Sequence, residues 1–208
     1  MERLDEILER IRVNFAEKYK ARDKALQDSR DIIRYSANAI RAAHRRDFAA
    51  AHNLVQSAKD RLDRIKADLV SYEDIYYAGF VQDAEKEYAE AAATLALLEG
   101  DPLPDPDDLA VSYVAYLNGL GEVVGELRRY VLDAIRRREA AIGEQALAAM
   151  DDIYGGLVTI DFPDGMTGDL RRTTDAARGI LERTRGDLTM ALSQSELEVK
   201  LREFEKRL

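Results

Sequence analysis

The 208-residue sequence predicts an all-α fold, on three observations. Apolar residues recur every three to four positions over long stretches, the signature of helices that bury one face. Proline and glycine number only 4 and 12, so turns are few and elements long. Charged residues reach 34%, as expected of long helices bathed in solvent.

The first element is a helix over residues 2–46. Leu4, Ile7, Leu8, Ile11 and Phe15 open its apolar stripe, and Leu26, Ile33 and Ile40 continue it. Asp47 is placed to cap a second helix over 48–69. A third runs from Tyr72 to Glu99, with Val81, Ala84, Tyr88, Ala91, Leu95 and Leu98 as its apolar seam. Gly100 then suits a left-handed helix end, and Pro102, Pro104 and Pro106 enforce the break. Asp105 or Asp107 can cap a fourth helix reaching Arg138, with a seam of Leu117, Leu120, Val124, Leu127 and Val131. A fifth covers 140–154. Gly155, Gly156, Pro163 and Gly165 mark a second loop before helices over 168–191 and 194–207, seven in all. A single domain spanning 1–208 is expected, since neither side of the Gly100–Asp108 break reads as independent.

Composition excludes several functions. With no cysteine there is no disulfide, thiolate zinc site or thiol nucleophile. The charged start MERLDEILER is no signal peptide, and no apolar run approaches the roughly 18 residues of a membrane span. A cytoplasmic protein without a membrane partner is expected. The two histidines, His44 and His52, are too separate for a histidine-built metal site. Gly119-Leu-Gly-Glu-Val-Val-Gly125 lacks the preceding strand that a nucleotide fingerprint needs. Arg136-Arg-Arg138 suits a helix C-terminus electrostatically. Tyr72, Tyr76 and Tyr77 fit a helix-interface cluster better than a base-stacking platform.

The net charge is −9, but it is unevenly spread. Residues 1–70 carry 16 basic and 12 acidic side chains, and the remainder carries 15 and 28. Within the basic part, Arg30, Arg34, Arg41 and Arg45 fall within about 60° of one another on the first helix and extend over roughly 22 Å. Such a row suits a phosphate backbone, because guanidinium makes bidentate contacts to phosphate oxygens. A solvated face paired with neighbouring acids explains it as well.

Two pairs of glutamates carry the other signal. Glu87 and Glu90 are i, i+3 neighbours beside the seam of the third helix, and Glu122 and Glu126 are i, i+4 neighbours beside that of the fourth. Gly119, Gly121 and Gly125 lie among the latter, each costing helix propensity by about 1 kcal/mol relative to alanine. Small residues there admit close approach of a facing helix or of a substrate backbone. Facing carboxylates repel unless a cation lies between them, and hard Mg²⁺ or Mn²⁺ prefers carboxylate oxygens. Exposed glutamates in an acidic protein are the plainer alternative.

Ser29-Arg-Asp-Ile-Ile-Arg34, Glu87-Tyr-Ala-Glu-Ala91 and Tyr116-Leu-Asn-Gly-Leu-Gly-Glu-Val-Val-Gly-Glu-Leu-Arg128 together resemble the translin family, and its TRAX (translin-associated factor X) branch above translin itself. The resemblance covers nearly the whole chain and implies a translin-type seven-helix bundle in a hollow, roughly octameric shell. It also implies Mg²⁺-dependent endoribonuclease activity at a site facing the interior, while the carboxylate preference of hard ions admits Mn²⁺ as well. Glu87, Glu90 and Glu122 would hold the metal, with Glu126 as a supporting acid. TRAX usually has aspartate where this chain has Glu122. Translin proper has apolar residues at the Glu87 and Glu90 positions and is inactive, so these acids imply a catalytic chain. Translin's basic, histidine-containing motif would fall at Tyr72–Phe80, which is not basic here. RNA contacts are then expected from Arg30, Arg34, Arg41, Arg45 and Arg129.

The expected activity is cleavage of single-stranded or frayed RNA by a homo-oligomer, with single-stranded DNA as a further partner. Two alternatives stay open: a non-catalytic RNA- or DNA-binding protein, and a helical scaffold for other proteins.

Overall fold

The computed structural model describes residues 2–206, and among them every regular element is helical. α1 (Glu2–His44) is a single helix of 43 residues, followed by α2 (Phe48–Leu69). Asp47 caps α2 by accepting a hydrogen bond from the Ala50 amide. The expected third helix is divided into a single turn, α3 (Glu73–Tyr76), and α4 (Gly79–Glu99). Gly100 ends α4 in the left-handed conformation at φ 83°, as its place before three prolines requires.

The fourth helix begins later than Asp105 suggested. Asp105 caps only one turn, α5 (Pro106–Leu109), which stops at Ala110 in the left-handed region. Ser112 then caps α6 (Tyr113–Arg137) by accepting from the Ala115 amide. α7 (Ala140–Val158) runs through Gly155 and Gly156, where a loop was expected. Their neighbours Ile153 and Leu157 are buried, and that packing outweighs the propensity cost of two glycines. After the single turn α8 (Asp164–Thr167), one helix, α9 (Leu170–Glu205), replaces the two expected. Ser193-Gln-Ser195 contains neither glycine nor proline, so nothing there interrupts it.

The helices pack in two layers that share α4. On one side α1, α2 and α4 enclose Ile32, Leu62, Ile65, Leu69, Val81 and Tyr88. On the other, α4, α6, α7 and α9 enclose Leu95, Leu127, Met150, Leu181 and Leu188. Each such side chain contributes about 1.5–3 kcal/mol by leaving water. α4 therefore lies at the centre, and its stripes face α1 on one flank and α6 on the other. All six seam residues expected of α4 are buried.

Polar ties fix the outer elements. Buried Glu85 accepts hydrogen bonds from the Tyr76 hydroxyl at 2.9 Å and the Ser112 amide at 3.1 Å, joining α3 and the start of α6 to α4. Buried Asn118 donates to the Thr167 carbonyl and accepts from the Thr173 hydroxyl, which sets α9 against α6.

Two helices outrun the bundle. Lys18 and Lys24 pair with Asp74 and Asp68 near the α2–α3 corner, and residues 2–17 continue beyond it. At the other end, Arg138 meets Glu198, and α9 continues past that contact. No helix among the described residues is long and apolar enough to cross a membrane.

Candidate metal centre

The site arises where α4 and α6 approach closely. Gly119 is the cause. A Cβ built there would stand 2.9 Å from the Lys86 carbonyl oxygen and 3.2 Å from the Glu90 amide nitrogen. Any side chain would thus push α6 away from the turn of α4 that carries the first glutamate pair. Gly121 serves the other flank, since its Cβ would meet the Thr173 methyl of α9. Gly125 faces open space.

At this contact Glu87, Glu90 and Glu122 come together, one carboxylate oxygen from each lying within 4.8 Å of the others. Their environments differ. Glu122 is exposed, Glu87 is half-buried and Glu90 is only 7% exposed. Burial, and then the charges of Glu122, Glu87 and Glu126, push the Glu90 carboxyl up to about 8, with Lys86 opposing them.

Lys86 is the partner that sequence reasoning missed. Its Nζ stands 2.5 Å from Glu122 Oε1 and 3.4 Å from Glu87 Oε1. Burial disfavours its charge, but the Glu122 hydrogen bond and the charges of Glu122 and Glu87 outweigh that and raise its pKa. The only sequence signal was its position directly before Glu87, on a helix with an apolar seam.

Glu126 stands apart from the three. Its Oε2 lies 2.6 Å from Nε2 of His44, which is buried at the end of α1. That hydrogen bond holds the Glu126 carboxyl below the usual carboxylate range. His44, to which sequence gave no role, therefore joins α1 to the acid site. A lone histidine carries no periodic signal, and its partner is 82 residues away. His52, by contrast, is exposed and lies 2.8 Å from Glu99.

The donor set fits a hard divalent cation. Three carboxylates converge, one of them in a poorly solvated position, and carboxylate oxygens are the donors such an ion prefers; the Lys86 ammonium is the one group here that opposes it. Beside Glu122 a recess opens toward α9, bordered by Gly121, Asp169, Arg172, Thr173 and Ile180.

Arg30, Arg34 and Arg41 lie on α1 and are exposed; Arg45 is exposed too, but it falls in the turn after His44, because α1 ends before the expected residue 46. Arg34 pairs with Asp31 at 2.8 Å and stands over the Tyr35 ring, and Arg41 donates to the Asn38 side chain. His44 lies about 40° round the helix from Arg30, so the stripe borders the face of α1 that meets Glu126. Arg129 is exposed and 4.0 Å from Glu126. In the Tyr72–Phe80 segment, Tyr72 and Tyr76 pack against the core, as the interface reading expected. Tyr77 is exposed and meets Tyr76 edge to face.

No family model matches the chain. Individual proteins do. An uncharacterized protein of Methanocaldococcus jannaschii is 30% identical over 197 residues, covering 92% of this chain and 84% of its own. The crystal structure of AfC3PO is 32% identical with a TM-score of 0.84, covering 90% of this chain and 97% of that one. AfC3PO has also been solved as a complex with duplex RNA, with the same identity and TM-score. Apo-NeC3PO is 19% identical, with a TM-score of 0.81 over 88% of this chain and 96% of that one, a likeness of fold. Helical pattern, sequence identity and end-to-end structural agreement lead to one conclusion: the chain belongs to the C3PO family of translin/TRAX-like proteins.

Proposed function

We propose that this protein is a Mg²⁺-dependent endoribonuclease, with Mn²⁺ as an effective substitute, working within a homo-oligomeric, octameric shell. The observation that carries the proposal is the convergence of Glu87, Glu90 and Glu122 across the α4–α6 contact. The RNA partner rests on AfC3PO, which binds duplex RNA. Duplex RNA therefore joins the single-stranded or frayed RNA expected from the sequence.

A divalent ion held there would supply Lewis-acid stabilisation of the charge developing on the phosphate and would make water easier to deprotonate. The side chains do the rest. Glu87, Glu90 and Glu122 hold the ion. Glu126, fixed by His44 at the edge of the group, accepts a hydrogen bond from the attacking water and aligns it. Arg30, Arg34, Arg41, Arg45 and Arg129 grip the RNA backbone on the α1 side. Hydrolysis adds the water oxygen to phosphorus and expels a ribose oxygen, which takes up a proton.

A non-catalytic RNA-binding role is the second reading, and the Lys86–Glu122 bridge favours it, because an ammonium already partly neutralises the acids. The deciding experiment is an RNA cleavage assay with Mg²⁺ and Mn²⁺ on wild type, Glu87→Ala and Glu90→Ala, with RNA binding measured alongside. Cleavage by wild type, lost in both variants while binding persists, supports the nuclease. Undiminished cleavage by both variants sinks the site, and binding without any cleavage establishes the second reading.

A further inference from the structure

The first part of α1 bears an apolar stripe that nothing in this chain covers. Leu4, Leu8, Ile11, Phe15 and Tyr19 are between 38% and 67% exposed. They lie within about 80° on the helix, along a segment that leaves the bundle at the α2–α3 corner. A second such stripe, Met190, Leu197, Leu201 and Phe204, is exposed on α9. The two cannot cover each other within one chain. The contacts of Ala25 with the Ile75 and Val111 cluster, and of Arg46 with Glu139, show that α1 runs alongside α6 in the same direction. Thr173 on Asn118 and Glu198 on Arg138 show the same for α9. The start of α1 and the end of α9 therefore project from opposite ends of the bundle. Exposed apolar surface of this extent marks an association site.

We infer that residues 4–19 of α1 pair antiparallel with the same segment of a second copy, across a two-fold axis between residues 11 and 12. Two features of the segment point to this partner. The first is its spacing. The apolar positions 4, 8, 11, 15 and 19 nearly mirror themselves about that point, so Leu4 meets the partner's Tyr19 and Leu8 meets the partner's Phe15, while Ile11 crosses at the axis. A two-fold interface requires this self-complementarity. The second is charge. Residues 2–9 hold four acidic side chains and one basic, whereas residues 14–21, which they would face, hold two basic, Lys18 and Lys20, and one acidic, Lys18 also pairing with Asp74 of its own chain. An antiparallel pair lays the acidic end of each copy along the basic end of the other, and a parallel pair lays like on like. Arg12, beside the axis, is already neutralised by Glu9 at 3.1 Å.

The inference deepens the homo-oligomer proposed above and is independent of the metal site. The chain has no cysteine of its own, so single introduced cysteines report on the pairing directly. The test is oxidative cross-linking of Arg12→Cys, Leu4→Cys, Tyr19→Cys and Leu197→Cys, with native mass measured for wild type and for Leu8→Asp/Phe15→Asp. These positions lie outside the core, so folding is checked by circular dichroism and is expected to be unchanged. Arg12→Cys should cross-link to itself. Leu4→Cys and Tyr19→Cys should each remain uncoupled alone and couple when mixed. The double aspartate variant should lose at least half of the native mass. Self-coupling of Leu4→Cys, denoting a parallel pair, overturns the inference. So does coupling of Leu4→Cys to Leu197→Cys, denoting head-to-tail assembly. A wild type of oligomeric mass with no α1 coupling overturns the pairing alone, whereas a monomeric wild type overturns both the pairing and the proposed oligomer.

Discussion

Lys86 presents its ammonium to Glu122 at 2.5 Å, across the α4–α6 contact. A divalent ion entering the acid group must displace that ammonium or share the carboxylate with it. Lys86→Met therefore should tighten Mn²⁺ binding at pH 9, where Glu90 is largely ionised. The expected gain is about twofold to fivefold, the scale of a partly exposed ion pair. Calorimetric titration of both proteins checks this, and equal affinities would show that Lys86 does not compete.

Glu90 makes the metal-free fold sensitive to pH. Its carboxyl goes from an ordinary 4.5 to about 8 on folding. Between those values the folded chain keeps a proton that the unfolded chain has lost, so stability falls as pH rises and levels off above about 8. Glu90→Gln should remove this slope and melt higher than wild type at pH 8.5 without metal. Cation binding expels the same proton, so stabilisation by Mn²⁺ should grow with pH up to about 8 and vanish in Glu90→Gln. Melting curves from pH 5 to 9, with and without Mn²⁺, decide the matter. A wild-type melting temperature independent of pH contradicts the expectation.

Gly119 and Gly125 provide a matched pair. Gly125→Ala gains helix propensity in open space and should stabilise the protein by up to about 1 kcal/mol. Gly119→Ala forces a methyl against the α4 backbone and should cost about 1–3 kcal/mol. It should also weaken Mn²⁺ binding, because it separates the helices that bring the ligands together. Denaturant unfolding and metal titration of both variants test the contrast.

His44→Ala leaves the Glu126 carboxylate without its buried donor and should cost about 1–3 kcal/mol. His44→Gln restores a donor and should recover part of that loss. If the two variants prove equally stable, the hydrogen bond is not what holds the end of α1 to α6.

The arginine stripe should act through phosphate charge. In Arg41→Ala/Arg45→Ala the dependence of RNA affinity on salt should become shallower, by about one in log–log slope for each phosphate that is no longer neutralised. Mn²⁺ affinity should be unchanged. An unaltered salt slope would remove the stripe from the RNA interface.

The sequence revealed what repeats and concealed what is paired across distance. The seams of α4 and α6 follow a period of 3.6; that of α4 lies buried as expected, that of α6 is buried at Val124, Leu127 and Val131 and half-buried at Leu117 and Leu120, and Gly100 ends α4 where its neighbours dictate. The glutamate pairs were visible because i, i+3 and i, i+4 spacing places side chains on one face. That Gly119 joins those faces was half visible, since three glycines in one helix demand compensation, although two of them lean on different neighbours and one on none. Lys86 and His44 were hidden for another reason. Each meets its carboxylate from a different helix, 36 and 82 residues away, and a single lysine or histidine has no period. Helix ends failed where two signals competed. Asp105 and Ser112 are both good caps, and only packing decides that α6 starts at the second.

Glu87, Glu90 and Glu122 all lie in the interiors of helices, and none is on a connecting segment. The acid group thus has no hinge of its own. Opening it would mean fraying α4, the helix that both cores share, so the amides of residues 86–94 should exchange with solvent only in rare, large-scale openings. Control over such a centre cannot come from a loop that swings into place. It falls to admission: what can physically reach the face between α1 and α9.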